Sequence, residues 1–348
     1  MDCKNLIDKL ESEKSLSSDE YGFLVSSYTE EDRLYAQKIA SGIADSIFGR
    51  KVYTRGIVEF TNYCRNNCLY CGIRCANRDI ERYRLDAKTI LSCCNAGYDI
   101  GYRTFVLQGG EDLYYTDEMM ADIIRSIKKQ YSDAAITLSI GERSYESYKQ
   151  FRLAGADRYL LRHESADPKH FAKLHPASQV LSTRMQCLRN LKELGFQTGA
   201  GMMVGSPYQT AGNIASDLVF IQEFKPEMVG IGPFIPHHST PFRSFPAGSV
   251  DMTLFLLSLV RIMLPKVMLP ATTALGTVES DGRLRGIQAG ANVIMMNISP
   301  FETRKDYLLY DSKREIDSTH LVSVQDLDGI LRPIGYSAIS AKGDYNNA

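Results

Sequence analysis

The chain has 348 residues, of which 44% are hydrophobic and 23% charged, with a formal net charge of -1 at pH 7. This balance excludes a basic nucleic-acid-binding field and an acidic disordered tail, and leaves an ordinary globular chain of α/β-barrel length. Met1 to Lys9 lack a signal-peptide core, the most apolar run (Leu254 to Leu264) is interrupted by Arg261, and eight cysteines without a secretion signal read as a reducing cytoplasm, no membrane contact and metal use.

Residues 1–50 are expected to form a helical extension, with Leu6, Leu10, Leu16, Tyr21, Leu24 and Val25 at helical spacing and Ser17-Ser18-Asp19-Glu20 as a helix start. From residue 51 short apolar runs alternate with amphipathic stretches, the rhythm of βα units. The runs are Gly56 to Phe60, Thr104 to Gln108, Ala135 to Ser139, Arg158 to Leu161, Thr198 to Val204, Met228 to Ile231, Val267 to Pro270 and Val293 to Met296. Helices are expected near 86–97, 117–130, 144–154, 178–195, 211–223, 250–264 and 279–289. The phrases Ala154-Gly155-Ala156-Asp157 and Ala289-Gly290-Ala291-Asn292 place a glycine where helix hands over to strand. The pattern predicts a TIM-type (β/α)8 barrel over 51–310, and a tail over 311–348 whose apolar Ile330 to Ile334 packs on the barrel's bottom or side.

The chemistry lies just past the first run, in Cys64-Arg65-Asn66-Asn67-Cys68-Leu69-Tyr70-Cys71. Three thiols spaced C-x3-C-x2-C can hold three corners of a cubane iron-sulfur cluster and leave one iron open. Structural zinc wants four ligands, commonly in two pairs, and no second pair follows. A competing reading makes Cys75 the fourth ligand of a closed electron-transfer cluster, although the ferredoxin-type run has two residues between its first cysteines and a proline after its last. Cys3, Cys93, Cys94 and Cys187 read as packing or surface thiols.

The cysteine spacing, with Tyr70 before the last thiol, resembles the signature of the radical S-adenosylmethionine (SAM) superfamily. The resemblance implies a [4Fe-4S] cluster on Cys64, Cys68 and Cys71, with SAM chelated at the open iron and cleaved reductively to a 5'-deoxyadenosyl radical. Gly109-Gly110-Glu111 resembles that superfamily's GGE motif, where paired glycines let backbone approach the SAM amino group. Glu164, at a strand end, suits the ribose hydroxyls, and Arg184 the SAM carboxylate; alone, each would more often be a surface charge. Gly199 to Gly205 has the wrong spacing for a dinucleotide fingerprint, and Gly201 reads as an adenine-side contact. His163 and His237 fall at the barrel mouth, while His170, His175, His238 and His320 read as solvated or structural.

Within the superfamily, Arg55 to Phe60, Val106 to Asp112, Tyr159 to Glu164, Val229 to His237 and Pro270 to Thr277 resemble the HydE family of [FeFe]-hydrogenase maturases. That resemblance implies a cavity lined by Thr137, Arg162, Thr272, Thr273 and Tyr307, whose guanidinium and hydroxyls suit an amino-acid-like carboxylate. It also implies a cysteine-bound Fe(CO)2CN substrate, an electron donor such as ferredoxin or flavodoxin, and other hydrogenase maturases as partners. Two departures stand out: no cysteine follows Cys187, so a second cluster is not expected, and Thr303 stands where an aromatic residue would be expected. The alternatives are a mutase or synthase of the methylornithine synthase and biotin synthase group, a HydE-like paralogue with another small substrate, and a cluster-binding electron carrier using Cys75.

Overall fold

The computed structural model describes residues 2–313 and 320–345. It opens with helices Cys3–Glu13, Ser18–Ser27 and Glu30–Phe48. Ser17 and Glu20 close a reciprocal capping box at the second, and Gly49, left-handed at φ 63°, stops the third so that the first strand can begin.

Seven strands run parallel around the barrel: β1 Lys51–Thr61, β2 Thr104–Gly109, β3 Ala135–Ser139, β4 Arg158–Leu160, β5 Gln197–Val204, β6 Met228–Pro233 and β7 Val293–Asn297. Their order is β6-β5-β4-β3-β2-β1-β7. An eighth, β8 Ser337–Ile339, pairs with the first three residues of β1, below the reach of β2.

The expected strand at Val267 to Pro270 is shorter than a ladder. It keeps two isolated bridges, Met228 to Met268 and Pro270 to Val293, which close the ring between β6 and β7. Pro270 has no N–H to give, and a buried cation does part of the work instead. Arg261, on helix Val250–Met263, donates to the carbonyls of Pro265, Val267 and Gly290 and to Asn292 Oδ1 at 2.7 to 3.0 Å. The charge that interrupts the most apolar run thus holds the weakest stave, and burial pushes its guanidinium down to about 9.

Alternation along β1 sorts its side chains. Val52, Val58 and Phe60 pack outward into the helical layer, while Ile57 and Glu59 face the barrel interior. The helices Ala87–Asp99, Asp117–Gln130, Tyr145–Ala154, Ala211–Phe224 and Val250–Met263 follow the sequence expectation closely. The expected helix near 178–195 is Leu181–Glu193, preceded by an unanticipated short helix Pro168–Leu174 begun by Asp167 and Pro168. The last expected helix, near 279–289, is Gly282–Gln288, preceded by an unanticipated short helix Thr273–Val278. No helix among the described residues is long and apolar enough to cross a membrane.

The lower end of the barrel is sealed by chain from the far terminus. Arg158, with no exposed surface, donates to Gln197 Oε1, Thr104 Oγ1, Lys342 O and Asp344 Oδ1 at 2.5 to 3.2 Å. Every nitrogen of that guanidinium is used. The upper end stays open.

Candidate active site

The cysteine loop leaves β1 without regular structure, so its main-chain groups need other partners. Asn62, fully buried, donates to the carbonyls of Glu81 and Asp306 and accepts from the Tyr83 amide. Arg82 gathers the carbonyls of Asn62, Ile73, Arg74 and Asn77 with one guanidinium. Neither residue was singled out in the sequence, because their partners are carbonyls and leave no side-chain pattern.

From the other side the loop is held by the segment after β4. The Leu69 amide donates to Leu174 O at 2.9 Å, and Tyr70 Oη lies 3.2 Å from His175 Nε2. His175 Nδ1 faces the Phe171 carbonyl at 2.9 Å, so it carries the proton, Nε2 accepts, and the Tyr70 hydroxyl is the donor. Burial, with Arg184 nearby, drops His175 to about 3 and keeps the ring neutral.

Cys64, Cys68 and Cys71 line one cavity of about 350 Å3, at the C-terminal ends of the strands. Tyr70, Gly109, Gly110, Glu111, Arg162, Glu164, Arg184, Thr272, Thr273 and Tyr307 also line it. Two sequence candidates do not. Thr137 sits two residues below the lining Ser139 on β3, buried, with its Oγ1 unpartnered. Gly201 lies behind the wall: its amide donates to His163 Nδ1 at 3.2 Å and its carbonyl accepts from the Glu164 amide at 3.0 Å. Gly201 therefore fixes Glu164, which is held left-handed at φ 63° in the strand-end bend. Thr303 lies outside the cavity wall, its hydroxyl turned to Pro300 O.

The GGE stretch has two jobs. A Cβ on Gly110 would stand 2.1 Å from Tyr63 O and 2.7 Å from Cys64 Cβ, so only glycine lets β2 meet the cysteine loop. The Glu111 carboxylate turns sideways, to Arg65 Nε at 3.0 Å and the Glu142 amide at 2.9 Å. Its approach is open because Gly141, at φ 76°, has no Cβ to block it.

Arg184 spends Nε on Glu142 at 2.5 Å and Nη1 on the Arg162 carbonyl at 2.6 Å. Although burial opposes it, Glu142 holds the guanidinium firmly charged. Arg162 Nη2 lies 3.0 Å from Glu164 Oε2, yet neither atom is aligned for a hydrogen bond. Arg162 Nε and Thr272 Oγ1 are likewise buried without partners. Unpaired polar groups at one cavity are costly, and a polar ligand relieves that cost.

The donor set fits an iron-sulfur cluster better than a single ion. Among the described residues, the one three-ligand set whose donor atoms all lie within 4.8 Å is His237, His238 and Asp311, none of which lines the cavity; the three thiols are more widely spread. Tetrahedral zinc needs sulfurs about 3.8 Å apart, given Zn–S near 2.3 Å. All eight cysteines are unpaired, and Cys75 is exposed and outside the cavity wall. Burial pushes all three loop thiols up, Cys71 to about 12, and at Cys68 and Cys71 the next cause is the other loop cysteines. A bound cationic cluster reverses that, since coordinated thiols are deprotonated outright.

The radical SAM superfamily profile matches residues 58–221, from β1 through the cysteine loop to helix Ala211–Phe224. The [FeFe] hydrogenase maturase subunit HydE of Thermotoga maritima is 46% identical over 276 residues, covering 79% of this chain and 78% of that protein. The chain belongs to the radical SAM superfamily, in the HydE family. As a radical SAM enzyme it uses a [4Fe-4S] cluster and SAM. The 3-methylornithine synthase of Methanosarcina acetivorans is 28% identical over 281 residues, covering 80% of this chain and 79% of that one. Among solved structures, methylornithine synthase (PylB) superposes with a TM-score of 0.83 at 24% identity, covering 96% of this chain and 97% of that chain. The maturase HydG gives 0.80 at 20% identity, covering 97% and 75%. These two report on fold, and they agree with the radical SAM barrel.

Among the lining residues that escaped sequence reasoning are Glu59, Lys313 and Gln179. Lys313 Nζ meets Glu59 Oε1 at 2.5 Å across 254 positions, a pairing with no local signature. Glu59 alone had a signal, since it shares the inward phase of β1 with Ile57.

Proposed function

We propose that this radical SAM enzyme acts in maturation of the [FeFe]-hydrogenase H-cluster, on a cysteine-bound Fe(CO)2CN precursor, with a ferredoxin- or flavodoxin-type electron donor and other hydrogenase maturases as partners. The observation that carries the proposal is the pairing of a three-thiol loop with unpartnered Arg162 and Thr272 groups in one cavity, in a chain 46% identical to HydE. Cys64, Cys68 and Cys71 would hold the cluster, leaving its fourth iron toward the cavity. When bound and reduced, the cluster supplies the electron that splits SAM into methionine and a 5'-deoxyadenosyl radical.

The chain's own residues bind and orient. Gly109 and Gly110 bring main chain up to the SAM amino group, Arg184 offers its remaining N–H groups to the carboxylate, and Glu164 accepts from the ribose hydroxyls. Tyr70, tethered by His175, sits beside the thiols, and Gly201 acts through Glu164. Deeper in the cavity, Arg162, Thr272, Thr273 and Tyr307, with Thr137 below them, anchor a carboxylate-bearing substrate and exclude water.

The test is hydrogenase activation on coexpression, with electron paramagnetic resonance and 5'-deoxyadenosine assay of anaerobically reconstituted protein. The expected result is a SAM-sensitive cluster signal, deoxyadenosine formation, and loss of activation in Cys68→Ser. Full activation by that variant overturns the proposal. Isomerisation of lysine without hydrogenase activation overturns the substrate assignment in favour of a methylornithine synthase-type reaction.

A further inference from the structure

The three loop sulfurs are not treated alike by the protein. The main-chain N–H groups of Asn66 and Glu111 favour the Cys64 thiolate, and that of Ile73 favours Cys71. Cys68 has a side chain instead: its Sγ lies 3.2 Å from the Gln179 amide oxygen, across 111 positions of sequence.

The main chain that carries this side chain is anchored. The Gln179 N–H closes a turn on Pro176 O at 2.9 Å, just ahead of helix Leu181–Glu193. The same segment already grips the loop, Leu174 O accepting from the Leu69 amide and His175 Nε2 from the Tyr70 hydroxyl. Gln179 is half-buried and lines the cavity, where a hydrogen bond is stronger than in water.

We infer that Gln179 is the hydrogen-bond donor to the Cys68 sulfur of the bound cluster, and that it raises the cluster's reduction potential. The inference rests on the assignment of Cys64, Cys68 and Cys71 as ligands. A thiol donates to the amide oxygen, but a metal-bound thiolate can only accept. The amide meets it by presenting Nε2–H, a half-turn of a group whose two ends have the same shape. Hydrogen bonds to cluster sulfurs are among the levers that set iron-sulfur potentials. A donor at Cys68 stabilises the extra negative charge of the reduced state, and so favours the one-electron reduction that SAM cleavage requires.

The experiment uses full-length protein, anaerobically reconstituted, as wild type, Gln179→Leu and Gln179→Glu. Iron and sulfide are measured, then each sample is titrated potentiometrically with the reduced-cluster signal as readout. Both variants are expected to load iron like wild type and to reduce at lower potential, Gln179→Glu lowest because its carboxylate adds negative charge and no donor. Unmoved potentials at full iron content overturn the inference and leave the ligand assignment standing. A wild type that binds no cluster overturns the ligand assignment itself, a distinct result. Should either variant load poorly, wild type labelled with 15N in its glutamine side chains decides: pulsed resonance of the reduced cluster is expected to show a 15N coupling, and its absence overturns the inference.

Discussion

Arg158 and Arg162 stand four residues apart, one at the start of β4 and one just past its end, and they belong to different kinds of site. Arg158 has no exposed side-chain surface and a partner for each nitrogen, including the Asp344 carboxylate at 2.5 Å. Arg162 keeps 30% of its side chain open to the cavity and leaves Nε and Nη2 without hydrogen bonds. A satisfied buried cation fixes structure, whereas an unsatisfied one stores affinity for something the chain does not contain. One strand therefore carries a fastener at its lower end and a ligand anchor at its upper end.

Exchanging the two roles by mutation should separate stability from activity. Arg162→Met removes a guanidinium whose Nε and Nη2 make no hydrogen bond and whose ion pair is to Glu164 at 3.0 Å, so unfolding free energy should fall by no more than about 1 kcal/mol. Substrate-dependent turnover should fall by about 100-fold or more, as when a preorganised electrostatic donor is lost. Parallel thermal melts and deoxyadenosine assays check this, and a variant that melts early while keeping its turnover would reverse the assignment. Asp344→Ala does the opposite. It strands a buried guanidinium and should cost about 2–3 kcal/mol, less than a fully buried pair because Asp344 retains solvent, while SAM affinity changes less than about twofold. Denaturant unfolding and equilibrium binding measure the two halves of that expectation.

A smaller effect tests how the upper end is assembled. Gly110→Ala would push a methyl against Cys64 Cβ and against Tyr63 O, main chain that cannot rotate away. A stability loss of about 1–2 kcal/mol is expected, with iron content after reconstitution reduced by at least half. Full iron loading in this variant would show that the cysteine loop tolerates displacement and that β2 does not set its position.

The two ends also differ in how far the sequence reveals them. The cysteine loop, the paired glycines and the strand-end Glu164 are local patterns, each decided within a few residues, and they converge on one cavity. The barrel rhythm was legible for the same reason, apart from the stave at Val267 to Pro270, where proline and the reach of Arg261 replace a ladder. Arg158 with Asp344, Glu59 with Lys313 and Cys68 with Gln179 are pairings across 186, 254 and 111 positions. No spacing rule predicts such contacts, because ring closure and not the local chain brings them together. Gly201 and Thr137 show the converse: their residue types were informative, but a register of one or two residues decides whether a group lines a cavity or supports the wall.

His175 belongs to the upper end yet behaves like a fastener, and acid should expose it. Its ring is buried and held neutral near a pKa of about 3, against 6.5 for the free side chain. Between those values the unfolded chain binds a proton that the folded chain refuses, so stability is intact above pH 6.5 and falls as the pH drops toward 3. From pH 7.5 to 5.5 the loss from this residue is about 1.4 kcal/mol. His170 and His237, also shifted down by burial, add in the same direction, so His175→Gln should remove one share of the acid sensitivity and not all of it. Chemical unfolding of the cluster-free chain at the two pH values measures the difference between wild type and variant. An identical pH dependence would mean that His175 takes up its proton in place, with Tyr70 swinging away, and that the tether on the cysteine loop opens in acid before the barrel does.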